Sequence, residues 1–269
     1  MMLILILELE FQYLPQMDKR YPIKPSEVFD SNGNFLWAKT IGGVIGDDIK
    51  EITIDLYGNL FLTGRFGATV DFDPGVNTYN LTSNGQSDIY VLKLDNNGEF
   101  IWAISVGGSS PDTPKSIFVD QSNNVYVTGT YNGTVDFDPG PAQFNITSNG
   151  AGDIFILKLD SDGGLIWAIS EGGVASDSGT SIIEDGLGSL YLTGYYQDVA
   201  DFDPSVTTYN LTSNGDSDIF IQKLDSSGAF IWTKSLGGIG TDLGYAITTN
   251  SAGDIFITGG FSNDVDFDP

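Results

Sequence analysis

Short apolar runs broken by turn residues fill this chain, and no stretch shows the apolar spacing of an amphipathic helix. Within residues 112–170, Ser116-Ile-Phe-Val-Asp120 and Val125-Tyr-Val-Thr-Gly129 flank a Gln-Ser-Asn-Asn turn, which predicts a β-hairpin. Farther on, Asp153-Ile-Phe-Ile-Leu-Lys-Leu159 turns at Asp160-Ser-Asp-Gly-Gly164 and returns through Leu165-Ile-Trp-Ala-Ile-Ser170. Two successive hairpins predict four antiparallel strands, here lettered a to d. Gly98, Gly163 and Gly228 fall in the c–d turn, where a positive φ is expected, and pairs such as Gly107-Gly108 and Gly172-Gly173 follow strand d.

The pattern recurs without a gap. Trp37, Trp102, Trp167 and Trp232 stand 65 residues apart, and Asp-Phe-Asp-Pro recurs with them at 71–74, 136–139, 201–204 and 266–269. A strict period marks an array in which each unit is one supersecondary module. The expected fold is therefore all-β, a β-propeller of four-stranded antiparallel blades, read as a fragment of a larger ring. A β-solenoid is the rival, but its coils carry shorter and more uniform strand spacing. Residues 1–34 stand outside the repeat and 35–269 carry it, with complete blades near 47–104, 112–169 and 177–234. Strand d of an earlier blade is expected near 35–41, and strands a and b of a later one near 246–261. Three closures of such a ring are open: further blades, a second copy, or Ile4–Leu14 serving as a missing strand c. Further blades are the favoured one.

Composition narrows the chemistry. Thirty-six acidic and 11 basic residues give a formal net charge of −25, a field that repels nucleic acid and anionic membrane surfaces. The absence of cysteine excludes disulfides and thiolate catalysis. The absence of histidine removes the usual general base and the commonest metal ligand. Met2–Leu7 is apolar but is followed at once by Glu8 and Glu10, without the basic start and small-residue site of a secretory signal. No apolar stretch approaches a transmembrane length.

The residues Asp153-Ile-Phe-Ile-Leu-Lys-Leu-Asp160, Gly163, Ile166-Trp167, Gly172-Gly173, Asp177 and Tyr191-Leu-Thr-Gly194 resemble the SBBP-type β-propeller repeat of bacterial secreted and surface proteins. The excursion carrying Asp-Phe-Asp-Pro and Thr-Ser-Asn-Gly looks like versions found in Bacteroidetes-type surface proteins. This resemblance implies an extracellular or cell-surface, non-catalytic module and brings no catalytic residues with it.

Candidate sites compete with architectural readings. Asp71 and Asp73, Asp136 and Asp138, Asp201 and Asp203, and Asp266 and Asp268 lie on one side of an extended segment, with the intervening Phe toward the blade. Such carboxylates suit Ca2+, the one cofactor considered and not a required one; turn capping explains the same residues. The b–c and d–a connections share one end of a blade, so these loops are expected to cluster with Asp47, Asp112, Asp177 and Asp242. The four tryptophans read as inter-blade packing rather than a quinone-cofactor dock. Lys93, Lys158 and Lys223 read as structural cations paired with an adjacent Asp.

Departures from the repeat are sharper clues. Glu184 stands where other repeats have Ile54, Val119 and Thr249, and Glu171 where they have Ile41, Val106 and Leu236. Either is a candidate to line a channel or hold a ligand, and surface drift is the duller account. Tyr79, Tyr195 and Tyr209 are the candidate stacking platforms for a sugar. The leading reading is an interaction scaffold, adhesive or carbohydrate-binding, with a protein or saccharide partner. A carboxylate-dependent polysaccharide hydrolase or lyase, and a plain structural spacer, are the alternatives.

Overall fold

The computed structural model describes residues 3–4, 26–43 and 46–267, and every regular element among them is a strand. Three blades are complete. Blade II comprises strands Asp48–Ile54, Leu60–Phe66, Asp88–Leu94 and Phe100–Gly108, in the order a, b, c, d across the sheet. Blade III comprises Thr113–Val119, Val125–Tyr131, Asp153–Leu159 and Leu165–Gly173. Blade IV comprises Ser178–Glu184, Leu190–Tyr196, Asp218–Leu224 and Phe230–Gly238. Strands a and b of blade V are Leu243–Thr249 and Ile255–Gly260. The described residues do not close into a ring.

Blade I reaches farther back than strand d. Ser26–Phe29 pairs antiparallel with Phe35–Lys39 across the turn Asp30-Ser-Asn-Gly33, so the c–d hairpin begins inside the segment 1–34 that was set apart from the repeat. Its turn is built like the others: Asp30 Oδ1 accepts the N–H groups of Asn32 and Asn34, as Asp95 Oδ1 accepts those of Asn97 and Glu99. Leu3–Ile4 adds to the side of Ser26–Phe29 opposite Phe35–Lys39, pairing Ile4 with Val28. Of the closing segment proposed at Ile4–Leu14, the remainder lies outside the described residues.

The b–c excursions are not loops but small hairpins. Thr69–Asp71 pairs with Asn80–Thr82, Thr134–Asp136 with Asn145–Thr147, and Val199–Asp201 with Asn210–Thr212. The second and third fold back onto the blade before their own: Asp136 and Val135 pair with Gly107 and Gly108, and Asp201 and Ala200 with Gly172 and Gly173. The glycine pairs expected to follow strand d are thus its last two residues. A Cβ on Gly108 would overlap the Thr134 carbonyl, and one on Gly107 the Asp88 carboxyl. Close backbone approach is what requires glycine there.

Packing between blades follows from residue period two along each strand. One face of blade III (Val125, Val127, Phe155, Leu157) shares a buried cluster with Ile89, Val91 and Val106 of blade II. Its other face (Tyr126, Ile154, Ile156) joins Ile182, Leu192 and Phe220 of blade IV. The rings of Trp37, Trp102 and Trp167 abut Gly98, Gly163 and Gly228 in the c–d turn of the next blade, and Trp102 Nε1 also donates to the Ser161 carbonyl at 3.1 Å. Lys93 Nζ donates to the same carbonyl at 3.2 Å and sits 4.9 Å over the Phe61 ring. Lys158 repeats this with Ser226 and Tyr126. Lys93 and Lys158 therefore belong to an inter-blade clasp rather than to ion pairs with a neighbouring Asp.

Candidate functional site

Chain topology brings the excursions and the d–a connections to one end of the blades, with the a–b and c–d turns at the other. That first end holds most of the acidic residues noted in the sequence. Their carboxylates divide into partly exposed ones that shape the excursions and more deeply buried ones that fasten blades together.

The Asp-Phe-Asp-Pro carboxylates belong to the first kind. Asp71 Oδ1 accepts the N–H groups of Asp73 and Tyr79 at 3.0 and 2.8 Å, and Asp73 Oδ1 that of Gly75 at 2.7 Å. Asp136 and Asp138 repeat this toward Asp138, Phe144 and Gly140, and Asp201 and Asp203 toward Asp203, Tyr209 and Ser205. Hydrogen bonds from Thr207 and Ser205 hold the Asp203 carboxyl below the usual carboxylate range. Phe72, Phe137 and Phe202 are buried, as the alternation requires. Asp266 ends the short strand that pairs with Gly237 and Gly238, and Asp268 lies outside the described residues. Among the described residues, no three acidic side chains converge as a metal site.

Buried carboxylates form the second kind. Asp112 Oδ2 accepts Gly108 N–H, at the end of the preceding strand d, and its Oδ1 accepts Asn132 N–H, after its own strand b. Asp177 spans Gly173 and Gln197 at 2.7 and 3.0 Å, Asp242 spans Gly238 and Ser262, and the half-buried Asp47 spans Gly43 and Gly67. These are staples across each blade junction. A further set went unremarked in the sequence: Asp88, Asp153 and Asp218 open strand c and accept the N–H of Asn84, Asn149 and Asn214. The signal was present, an Asp four residues after the Asn of each Thr-Ser-Asn-Gly. Burial pushes the Asp112, Asp153 and Asp177 carboxyls up to about 6.

The sign of the resulting pH dependence follows from linkage. Between the ordinary carboxylate value of 3.8 and about 6, the folded chain binds more protons at these groups than the unfolded chain does. Their stabilising contribution is full below the ordinary value and is lost as pH rises through about 6. A melting series across that range should show thermal stability falling with rising pH and levelling above it. A melting temperature that climbs through the same range would contradict the burial of these groups.

Glu171 and Glu184 flank one blade junction but do not meet. Glu171 lies at the excursion end of strand d, opposite Ile154, whereas Glu184 closes strand a at the far end, opposite Leu190. Burial and the nearby Asp120 raise the Glu184 carboxyl. Glu171 is only 3% exposed and lines no channel; Gln222 Nε2 of blade IV donates to its Oε1 at 2.7 Å. Gln222 departs from the repeat as clearly, standing where Leu92 and Leu157 do, and was not singled out in the sequence. The tyrosines are likewise dispersed. Tyr79 stacks on Phe100 of blade II and Tyr209 on Phe230 of blade IV, both with ring centroids 4.8 Å apart, while Tyr195 sits within strand b against Ser178 and Ile219.

The fold and these junctions define a β-propeller repeat protein, and comparison with known proteins agrees. The SBBP family, described as a β-propeller repeat, matches residues 101–135, from strand d of blade II through strands a and b of blade III. An uncharacterised WD repeat-containing protein of Acanthamoeba polyphaga mimivirus is 27% identical over 240 residues, 76% of this chain and 17% of that protein. The regulatory protein FlaEY of Caulobacter vibrioides is 25% identical over 162 residues, 60% of this chain and 17% of that protein. The chain thus spans about a sixth of the length of these two relatives.

Proposed function

We propose that this protein is a non-catalytic interaction scaffold that recognises its partner with the excursion end of the blades. One contrast carries the reading. The carboxylates at that end are occupied by backbone N–H groups, while Val76 and Val206 stand fully in solvent at the excursion tips, beside the partly exposed rings of Tyr79, Phe144 and Tyr209. Apolar groups repeated at the tips of stiff hairpins are contact surface presented at low entropic cost. The Tyr79 and Tyr209 rings, tilted against Phe100 and Phe230, are each 41% exposed, and such partly exposed aromatic surface suits contact with a sugar ring or an apolar side chain.

An extracellular or surface setting is part of this proposal, supported by the resemblance of the repeat. So is completion of the array. Phe256 of blade V is 54% exposed, whereas its counterparts Phe61 and Tyr126 are buried beneath the lysine and tryptophan of their own strands c and d. More of the same repeat, or a second copy, supplies that cover.

The test is binding of the purified protein to a glycan array and to extracted surface proteins, before and after V76S, Y79A, V206S and Y209A are combined. Retained melting temperature with lost binding supports the scaffold. Turnover of a polysaccharide, abolished by Glu184→Gln, would replace it with a hydrolase or lyase.

A further inference from the structure

The blade junctions repeat one apolar contact, and at one junction it is replaced. Where strand d of one blade meets strand c of the next, Ile41 and Leu92 share the cluster between blades I and II. Val106 and Leu157 share the cluster between blades II and III. Sixty-five residues farther on, the same two positions hold Glu171 and Gln222, both almost wholly buried. Each is a misfit alone. Together they bond, Gln222 Nε2 donating to Glu171 Oε1 at 2.7 Å and to the Phe202 carbonyl at 3.0 Å.

Within this pair two buried atoms remain without partners, Glu171 Oε2 and Gln222 Oε1. Both are acceptors when the acid is ionised. The charged groups acting on Glu171 are Asp201 and Asp203 of the blade IV excursion, both acidic, and among the described residues no cation pairs with it. An isolated buried carboxylate is expensive, and the usual escape is to keep the proton.

We propose that Glu171 is held as the neutral acid, that its Oε2–H donates to Gln222 Oε1 to close a two-bond acid–amide ring, and that this ring is the register key of the array. The proton satisfies both orphaned oxygens at once. The key works by exclusion. Any slip or exchange that sets strand d of blade III against another blade puts Glu171 on a leucine, as at Leu92 or Leu157, with nothing to bond. Otherwise near-identical junctions offer no such discrimination, and a single buried polar pair is a known means of fixing register.

Three variants and one spectrum test this. Gln222→Leu strands the acid and should lower the melting temperature by about 8 °C. The double variant E171V/Q222L restores the apolar contact of the other junctions and should recover most of that loss. After unfolding and refolding, it should also yield exchanged oligomers that the parent does not form. Glu171→Gln keeps a two-bond ring without a titrating proton and should fold normally. Near neutral pH the parent should show the infrared carbonyl band of a buried neutral carboxylic acid, absent in Glu171→Gln. Absence of that band in the parent overturns the neutral acid, even if Gln222→Leu fails to fold. A double variant that refolds as cleanly as the parent overturns the register key.

Discussion

Replacing Gly194 by alanine should cost about 3 kcal/mol or more, the upper end of what overpacking a strand produces. Gly194 lies near the end of strand b of blade IV, opposite Gly179, where strand a carries an extra residue before Ser181. That bulge turns the Ser178 carbonyl into the space a Cβ would take, and the Phe220 ring edge lies 2.8 Å from the same point. The obstacle is backbone on one side and a buried ring on the other, so relief means breaking the a–b pairing. Gly64 and Gly129 occupy the same corner of blades II and III and should behave alike. Gly253, with no atom within 4 Å of its Cβ site, is the matched control and should lose only the strain of its positive φ, about 1 kcal/mol. Urea unfolding of both variants measures the difference.

The second large effect is expected at Asp177. Alanine there leaves the part-buried Gly173 N–H and Gln197 N–H without acceptors, at about 1 to 3 kcal/mol each. Relief of the buried carboxyl and of its repulsion with Asp153 offsets part of this, so a net loss of about 3 kcal/mol is the expected result. Asp177→Asn keeps one acceptor and should fall between parent and alanine. Asp73→Ala removes an acceptor only from the exposed Gly75 N–H and should cost well under half as much. Equal losses at positions 177 and 73 would mean that the two kinds of carboxylate are not distinct.

Most of the blade architecture was legible because it rests on local signals. The a–b and c–d turns are written in Asp, Asn and Gly at fixed spacing, and strands a to d fall where the apolar runs lie. The excursion hairpins escaped because three-residue strands such as Asn145–Thr147 have too few positions to show a period. Strand c of blade I escaped for another reason. Its turn at Asp30–Gly33 is in register with the repeat, but Ser26-Glu27 replaces apolar residues and hides the run.

The site was less legible, since a carboxylate's role depends on whether it is buried. Asp71 and Asp112 look alike in sequence, yet one caps an exposed turn and the other closes a blade junction. Glu171 was singled out as a departure, but its meaning lay in Gln222, fifty-one residues away and brought to it only by blade packing. A search for departures that recur at both ends of one inter-blade contact would have found the pair.

Residue-resolved amide hydrogen exchange on the parent and on Asp177→Ala tests the central claim, that the buried carboxylates are staples of the array. Gln197 lies in a connection outside every strand, and its N–H is held by Asp177 Oδ1 at 3.0 Å. In the parent, Gly173 and Gln197 should exchange as slowly as the core strands of blade IV, and in Asp177→Ala Gln197 should exchange at the rate of an open loop. Fast exchange of Gln197 in the parent, or protection that survives loss of the carboxylate, would contradict the account.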